Sequence, residues 1–144
     1  MEEEGKNITY ENTYRMTPEQ REKFKFNKIE ESTQAIVDGI MKDAKSVELE
    51  CSSLSKKVSD AVISSIVDMI NTPKDEKGQD AADGTPVDYR YKVAIQTTVG
   101  EIQDQGVRIS SRCLWDPQFD MSISVYCNAQ GKYCSVIIFC IYFQ

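Results

Sequence analysis

The sequence predicts an α+β fold in which two N-terminal helices pack on a four-stranded antiparallel sheet. Over residues 17–71 apolar side chains recur at steps of three and four, as on one face of an amphipathic helix. From residue 89 onward they alternate with a period of two, which is typical of strands with one buried face. The chain has 144 residues, a length that suits a single domain.

The two helices are predicted over residues 17–43 and 52–71. Thr17 is a suitable N-cap, and Pro18 suits the first position of the first helix. A serine at the start of the second helix can cap it, and Pro73 ends it because proline disfavours helix in the residue before it. The first apolar stripe consists of Phe26, Ile29, Thr33, Ile36, Val37, Ile40, Met41 and Ala44.

Two segments outside these helices are polar and have no period. Residues 1–16 are acidic, and we expect them to form an extended N-terminal arm before a domain that covers residues 17–144. Residues 73–86 are charged and contain Gly78, Gly84 and Pro86, so a flexible loop is predicted there.

Four strands are predicted in the second half of the chain. They cover residues 89–99, 107–115, 121–127 and 132–143, with a turn at residues 128–131 between the last two. The polar residues 101–106 are expected to act as a hinge before the second strand.

The last predicted strand is apolar on both faces, so both faces must be covered. Two helices can cover only one face of the sheet, and an uncovered apolar face usually marks an interface. The simplest partner is a second copy or a relative, packed sheet against sheet. The interface predicted on this strand consists of Val136, Ile138, Cys140 and Tyr142.

The composition favours a binding protein over an enzyme. There is no histidine, which excludes His-dependent nucleophiles, imidazole bases and His-ligated zinc. The net charge of -6 disfavours nucleic acid as a partner. The apolar run 136–143 is too short to span a membrane, and the acidic N-terminus is not expected to be a secretory signal. No cofactor is expected.

Five cysteines occur without CxxC spacing, so we expect reduced thiols that fill space in the core. A small hydrolase or redox protein that uses Cys113 or Cys127 is a disfavoured alternative. A reactive thiol needs a nearby cation or a helix N-terminus, whereas Arg112 and Cys113 would point to opposite faces of a strand.

The run Ser110-Ser111-Arg112-Cys113-Leu114-Trp115-Asp116 at the end of the second predicted strand resembles the Tctex-type dynein light chains. Residues 89–93 and 132–138 look like the opening and closing strands of that family. The N-terminal residues Asn12, Thr13, Tyr14, Arg15 and Met16, followed by Pro18, are similar to a signature of the second Tctex class, which is found in ciliary dyneins.

The resemblance implies a non-catalytic dynein light chain that dimerises by strand exchange. The partner would be another Tctex-type chain, with a heterodimer favoured over a homodimer, in the outer arm of a ciliary or flagellar axoneme. An extended segment of a dynein intermediate chain would bind by strand addition. The edge strand expected to carry it consists of Val107, Arg108, Ile109, Ser110, Ser111, Arg112, Cys113 and Trp115, and the arm 12–16 would contact a further partner. A light chain of cytoplasmic or intraflagellar-transport dynein is the alternative.

Overall fold

A computed structural model of the protein describes residues 26–71 and 91–142. Its elements are, in chain order, helix α1 (Phe26–Lys42), a 3-10 helix (Ala44–Glu48), helix α2 (Cys51–Asn71), and strands β1 (Tyr91–Glu101), β2 (Met121–Ala129) and β3 (Lys132–Tyr142). The α+β class is confirmed. The arm 1–16, the helix start at Thr17 and the loop 73–86 lie outside the described residues.

The three strands form one antiparallel sheet in the order β1-β3-β2, with β3 in the centre. A two-residue turn joins β2 to β3, and both of its residues have positive φ, 56° at Gln130 and 71° at Gly131. That conformation is a type I′ turn, whose twist suits a tight hairpin. Because β1 and β2 run in the same direction on either side of β3, residues 102–120 must return from one end of the sheet to the other.

Both helices pack on the same face of the sheet, α1 over β2 and α2 over β1. The core between them is continuous, with α1 and α2 contributing residues at helical spacing and β3 contributing alternate residues. Its fully buried apolar members are Ile29, Val37, Met41, Leu54, Val58, Val62, Ile66, Cys134, Val136, Ile138 and Cys140.

The connection between the helices is held to the sheet by a buried lysine. Lys132 opens β3, and its Nζ donates hydrogen bonds to the carbonyl oxygens of Val47 at 3.1 Å and Leu49 at 2.7 Å. The ammonium group therefore has partners although its side chain is buried. These bonds tie the 3-10 helix to the hairpin end of the sheet.

The β3 residues predicted for a dimer interface lie on the face of the sheet that the helices cover. Val136, Ile138 and Cys140 are fully buried beneath the helices, and Tyr142 is buried at the end of the same face. They cannot meet a partner in a folded chain. The face left open carries the odd-numbered residues of β3: Tyr133, Ser135, Ile137, Phe139 and Ile141.

The predicted second strand is not formed within the described chain, whose sheet has three strands. Residues 107–115 join no ladder, and Val107 to Leu114 are exposed. The alternation that predicted a strand is present, but none of the described strands pairs with it. A period of two indicates extended backbone and does not by itself say which strand lies beside it.

Candidate partner-binding surface

The open face of the sheet has an apolar centre and a polar surround. Ile137 and Phe139 are half-buried and Ile141 is exposed, all on the central strand β3. Their register partners on β2 and β1 are mostly small or uncharged, namely Ser122, Ser124, Lys92, Ala94 and Gln96. Among the described strands Lys92 is the one ionised side chain on this face. Covering the face therefore removes little charge from water.

Residues 102–115 run along this open face without joining its ladder. Near the hairpin end, Val107 and Ile109 border a groove of about 350 Å³. The groove is also lined by Ile102, Gln105, Tyr126, Asn128, Tyr133 and Ser135. At the other end the ring of Trp115 meets Phe139 edge-on, with centroids 6.3 Å apart. The extended segment thus contacts the open face at both ends, and residues 110–114 between these contacts are exposed.

Tyr133 shapes the groove because its ring lies across Gly100 of β1. A Cβ at position 100 would stand 2.5 Å from the Tyr133 hydroxyl oxygen and 2.6 Å from ring carbons. Glycine is required at this position if the ring is to lie flat on the neighbouring strand.

The predicted hinge at residues 101–106 has a distinctive local conformation. Asp104 has φ of 57°, which is uncommon for a residue other than glycine. The Gln105 amide bonds back to the carbonyl of Glu101, and its oxygen accepts the N–H of Gln103. The turn is therefore closed by its own polar groups, and the N–H of Ile102 also donates to the carbonyl oxygen of Gly131 in the β2–β3 turn at 2.9 Å.

The far end of the extended segment is anchored by an aspartate pair. Asp120 accepts the N–H of Tyr142 at 2.8 Å with one oxygen and the N–H of Asp116 at 2.9 Å with the other. Phe119 packs against the ring of Tyr142, with centroids 6.1 Å apart. Residues 116–120 thus fix the point from which the segment enters β2.

The residues predicted for the peptide-binding strand lie together on this segment. Val107, Ile109, Arg108, Ser110, Ser111, Arg112 and Cys113 are exposed, and Trp115 is half-buried. Leu114, which the sequence prediction did not include, is fully exposed. The arm residues 12–16 lie outside the described part. Tyr126, Tyr133, Ile137 and Phe139 also lie on the open face and were not predicted from the sequence. The signal for this face is that the β2 residues opposite the odd-numbered residues of β3 are polar.

Cys127, Cys134 and Cys140 are buried and have the environment of packing residues, whereas Cys51 is half-buried and Cys113 is exposed, contrary to the expectation that all five fill the core. Burial raises the pKa of the Cys134 and Cys140 thiols to about 11 from 9.0. The pKa of Cys127 is also raised to about 11, first by burial and then by the hydrogen bond and negative charge of Asp38. A raised pKa disfavours the thiolate that a nucleophile requires. Within the described ranges no group of three or more potential ligands is placed to hold a metal ion.

These raised values predict a loss of stability at alkaline pH. A thiol whose pKa is higher in the folded state stabilises the fold below pH 9 and ceases to do so as pH rises toward 11. We expect the free energy of unfolding to fall by roughly 1–3 kcal/mol per buried thiol over that interval. Urea denaturation at pH 8 and pH 10.5 measures it.

The matched control for this prediction is a double variant, Cys134→Ala with Cys140→Ala. It lacks two of the three thiols whose pKa is raised, so its stability should fall less between the two pH values. Equal losses in both proteins would show that the thiols are not the cause.

Sequence comparison agrees with the architecture. The profile of the Tctex-1 family matches residues 22–141. Dynein light chain Tctex-type 5-B of Xenopus laevis is 23% identical over 137 residues, which cover 95% of this chain and 67% of that protein. Dynein light chain Tctex-type protein 2B is 26% identical in Danio rerio, covering 92% of this chain and 77% of the relative. The human 2B protein is 27% identical, with 92% and 82% covered.

Fold and surface together define a small α+β module with one helix-covered sheet face, one open face and an exposed extended segment. None of the described helices combines the length and hydropathy that crossing a bilayer requires. The chain belongs to the Tctex-1 family, whose profile covers most of its length.

Proposed function

We propose that this chain is a non-catalytic light chain of a dynein motor, in which it dimerises through residues 102–120 and binds an intermediate chain by strand addition. The observation that carries the proposal is the extended segment itself. It has strand-like alternation, exposed apolar residues at Val107, Ile109 and Leu114, and no ladder with any described strand. The assignment to a dynein motor is supported by relatives that are named as dynein light chains.

Dimerisation is supported by the sheet surface that the described residues leave uncovered. On the open face Ile141 is exposed and Ile137 and Phe139 are half-buried, and no described strand pairs with the outer edge of β2. Unpaired edges and apolar faces are commonly covered by a partner in a native protein. The hinge 101–106 and the anchor 116–120 bracket a segment long enough to leave its own sheet and lie beside the β2 of a partner. We propose another Tctex-type chain as that partner, a different one in preference to a second copy.

Intermediate-chain binding would use the edge of the exchanged segment that faces away from the partner's β2. Main-chain hydrogen bonds would supply affinity, and alternate side chains would supply selectivity. Arg108 and Arg112 are exposed on this segment and suit acidic residues of the incoming peptide. Trp115 is half-buried at its end, where aromatic residues often contribute strongly to binding.

Sedimentation equilibrium tests the proposal. It is performed on the chain alone and on a mixture with a Tctex-type light chain of the first class, which is distinct from the second class named above. A dimer is expected under at least one of these two conditions. That dimer should capture an N-terminal fragment of an intermediate chain in a pull-down. A fragment whose strand-forming segment is replaced by Gly-Ser is the control. A stable monomer under both conditions, or a dimer that does not bind the fragment, contradicts the proposal.

The place of the motor in the cell is proposed from the resemblance of residues 12–16 to ciliary light chains. We propose the outer arm of a ciliary or flagellar axoneme, with cytoplasmic or intraflagellar-transport dynein as the alternative. Crosslinking mass spectrometry on native dynein complexes decides between them, because it names the heavy and intermediate chains that contact this subunit. Crosslinks to an intraflagellar-transport heavy chain would exclude the axonemal assignment.

A further inference from the structure

The outer edge of β2 can be described residue by residue from the hairpin. The two-residue type I′ turn makes Ala129 and Lys132 a hydrogen-bonded pair. Hydrogen-bonded and non-hydrogen-bonded pairs alternate along an antiparallel ladder. Backbone groups of Cys127, Val125 and Ile123 therefore point to β3. Those of Ser122, Ser124, Tyr126 and Asn128 point away from the sheet.

One of these outward groups already has a partner from helix α1. The Gln34 side-chain amide donates to the carbonyl oxygen of Tyr126 at 3.2 Å and to Oδ1 of Asp38 at 2.9 Å. A primary amide has two N–H groups, so both bonds can form at once. Asp38 in turn accepts a hydrogen bond from Cys127, whose side chain is buried under α1. The amide is thus held from two directions at the sheet edge.

The geometry points to Gln34 as a gate on the β2 edge that limits pairing with an extended strand of a second Tctex-type chain. This inference rests on the proposed dimerisation. Tyr126 is the third of the four outward positions, counted from the start of β2. A strand that pairs along Ser122 and Ser124 reaches this carbonyl next and must displace the Gln34 amide to continue. Polar groups that occupy a sheet edge are a known means of limiting unwanted strand pairing.

Loss of the gate should strengthen dimerisation. A neutral hydrogen bond that must be exchanged contributes about 1 kcal/mol, which corresponds to about a fivefold change in Kd. Gln34→Ala removes both donors. Gln34→Glu replaces them with a carboxylate, which cannot donate and is repelled by Asp38. Both variants are expected to lower the dimer Kd by about threefold to tenfold.

Sedimentation velocity provides the test. It is performed under the condition in which the parent protein dimerises, either alone or with a Tctex-type light chain of the first class. Glu31→Ala is the matched control, since Glu31 is exposed on the same helix and should leave the Kd unchanged. The carbonyl carbon chemical shift of Tyr126 is a second readout. In monomeric Gln34→Ala this chemical shift should differ from its value in the monomeric parent protein. In the parent protein the same chemical shift should change on dimerisation.

The outcomes separate this inference from the proposed function. A lower Kd in both Gln34 variants, with Glu31→Ala unchanged, supports the gate. A dimer whose Kd is unchanged or higher in the Gln34 variants overturns the gate and leaves the light-chain proposal standing. A chain that is monomeric under every condition overturns both the gate and the light-chain proposal.

Discussion

Replacing Ile138 with aspartate is expected to unfold the isolated chain. Ile138 is fully buried at the centre of β3, between register partners Ile95 and Ile123, and the two helices cover it. The substitution removes a large apolar side chain and places a carboxylate where no described cation is available to pair with it. Such a change destabilises a domain by about 4 kcal/mol or more, and whole domains are stable by only about 5–15 kcal/mol. Circular dichroism and urea denaturation measure the effect.

The neighbouring residue is the matched control, because its side chain points to the other face. Ile137 is half-buried on the open face, opposite Gln96 and Ser124. Ile137→Asp should leave the isolated chain folded, since water can still reach the carboxylate. It should weaken or abolish the proposed dimer, where the same carboxylate is desolvated. If Ile138→Asp folds normally and Ile137→Asp does not, the assignment of the two faces is wrong.

Proline in the extended segment should abolish intermediate-chain binding at one of two adjacent positions. Ser110 and Ser111 are exposed and lie between the hinge and Trp115. In a strand-exchanged dimer the N–H of one points to the partner's β2 and the N–H of the other to the free edge. Proline removes an N–H from the ladder, so one variant should lose the peptide and the other should weaken the dimer.

Neither proline should disturb the isolated chain, because residues 107–115 join no ladder with the strands that the structure describes. This differs from the expectation for a strand paired within its own sheet, where one of the two prolines would damage folding. Unfolding free energies of Ser110→Pro, Ser111→Pro and the parent protein should therefore agree within about 0.5 kcal/mol. Pull-down of the intermediate-chain fragment and sedimentation of each variant complete the test. If both variants dimerise and bind normally, the peptide docks elsewhere.

The helices were predictable because each carries one apolar stripe of sufficient length. The first was expected to end at Asp43 and ends at Lys42. The second was expected to begin at Ser52 or Ser53 and begins at Cys51, and its predicted end at Asn71 agrees with the structure. Helical periodicity constrains these elements locally, so no tertiary information is needed to find them.

The β2–β3 hairpin was predictable from its turn, whereas the exposed face of β3 was not. Both faces of β3 are apolar, so its own sequence does not say which face the helices cover. The register decides, because it places Val125 and Ile123 beside the even positions and Ser124 and Ser122 beside the odd ones. The apolar neighbours then build one continuous core on the even face.

The sequence by itself determined the α+β class, the helices, three strands of the sheet and the residues of the extended segment. These follow from periodicity and turn chemistry, which act over a few neighbouring residues. Only the tertiary structure decided which face of β3 is buried, that residues 107–115 pair with none of the three described strands, and that Gln34 reaches the carbonyl of Tyr126. Each of these depends on contacts between residues far apart in the chain, and local pattern carries no information about such pairings.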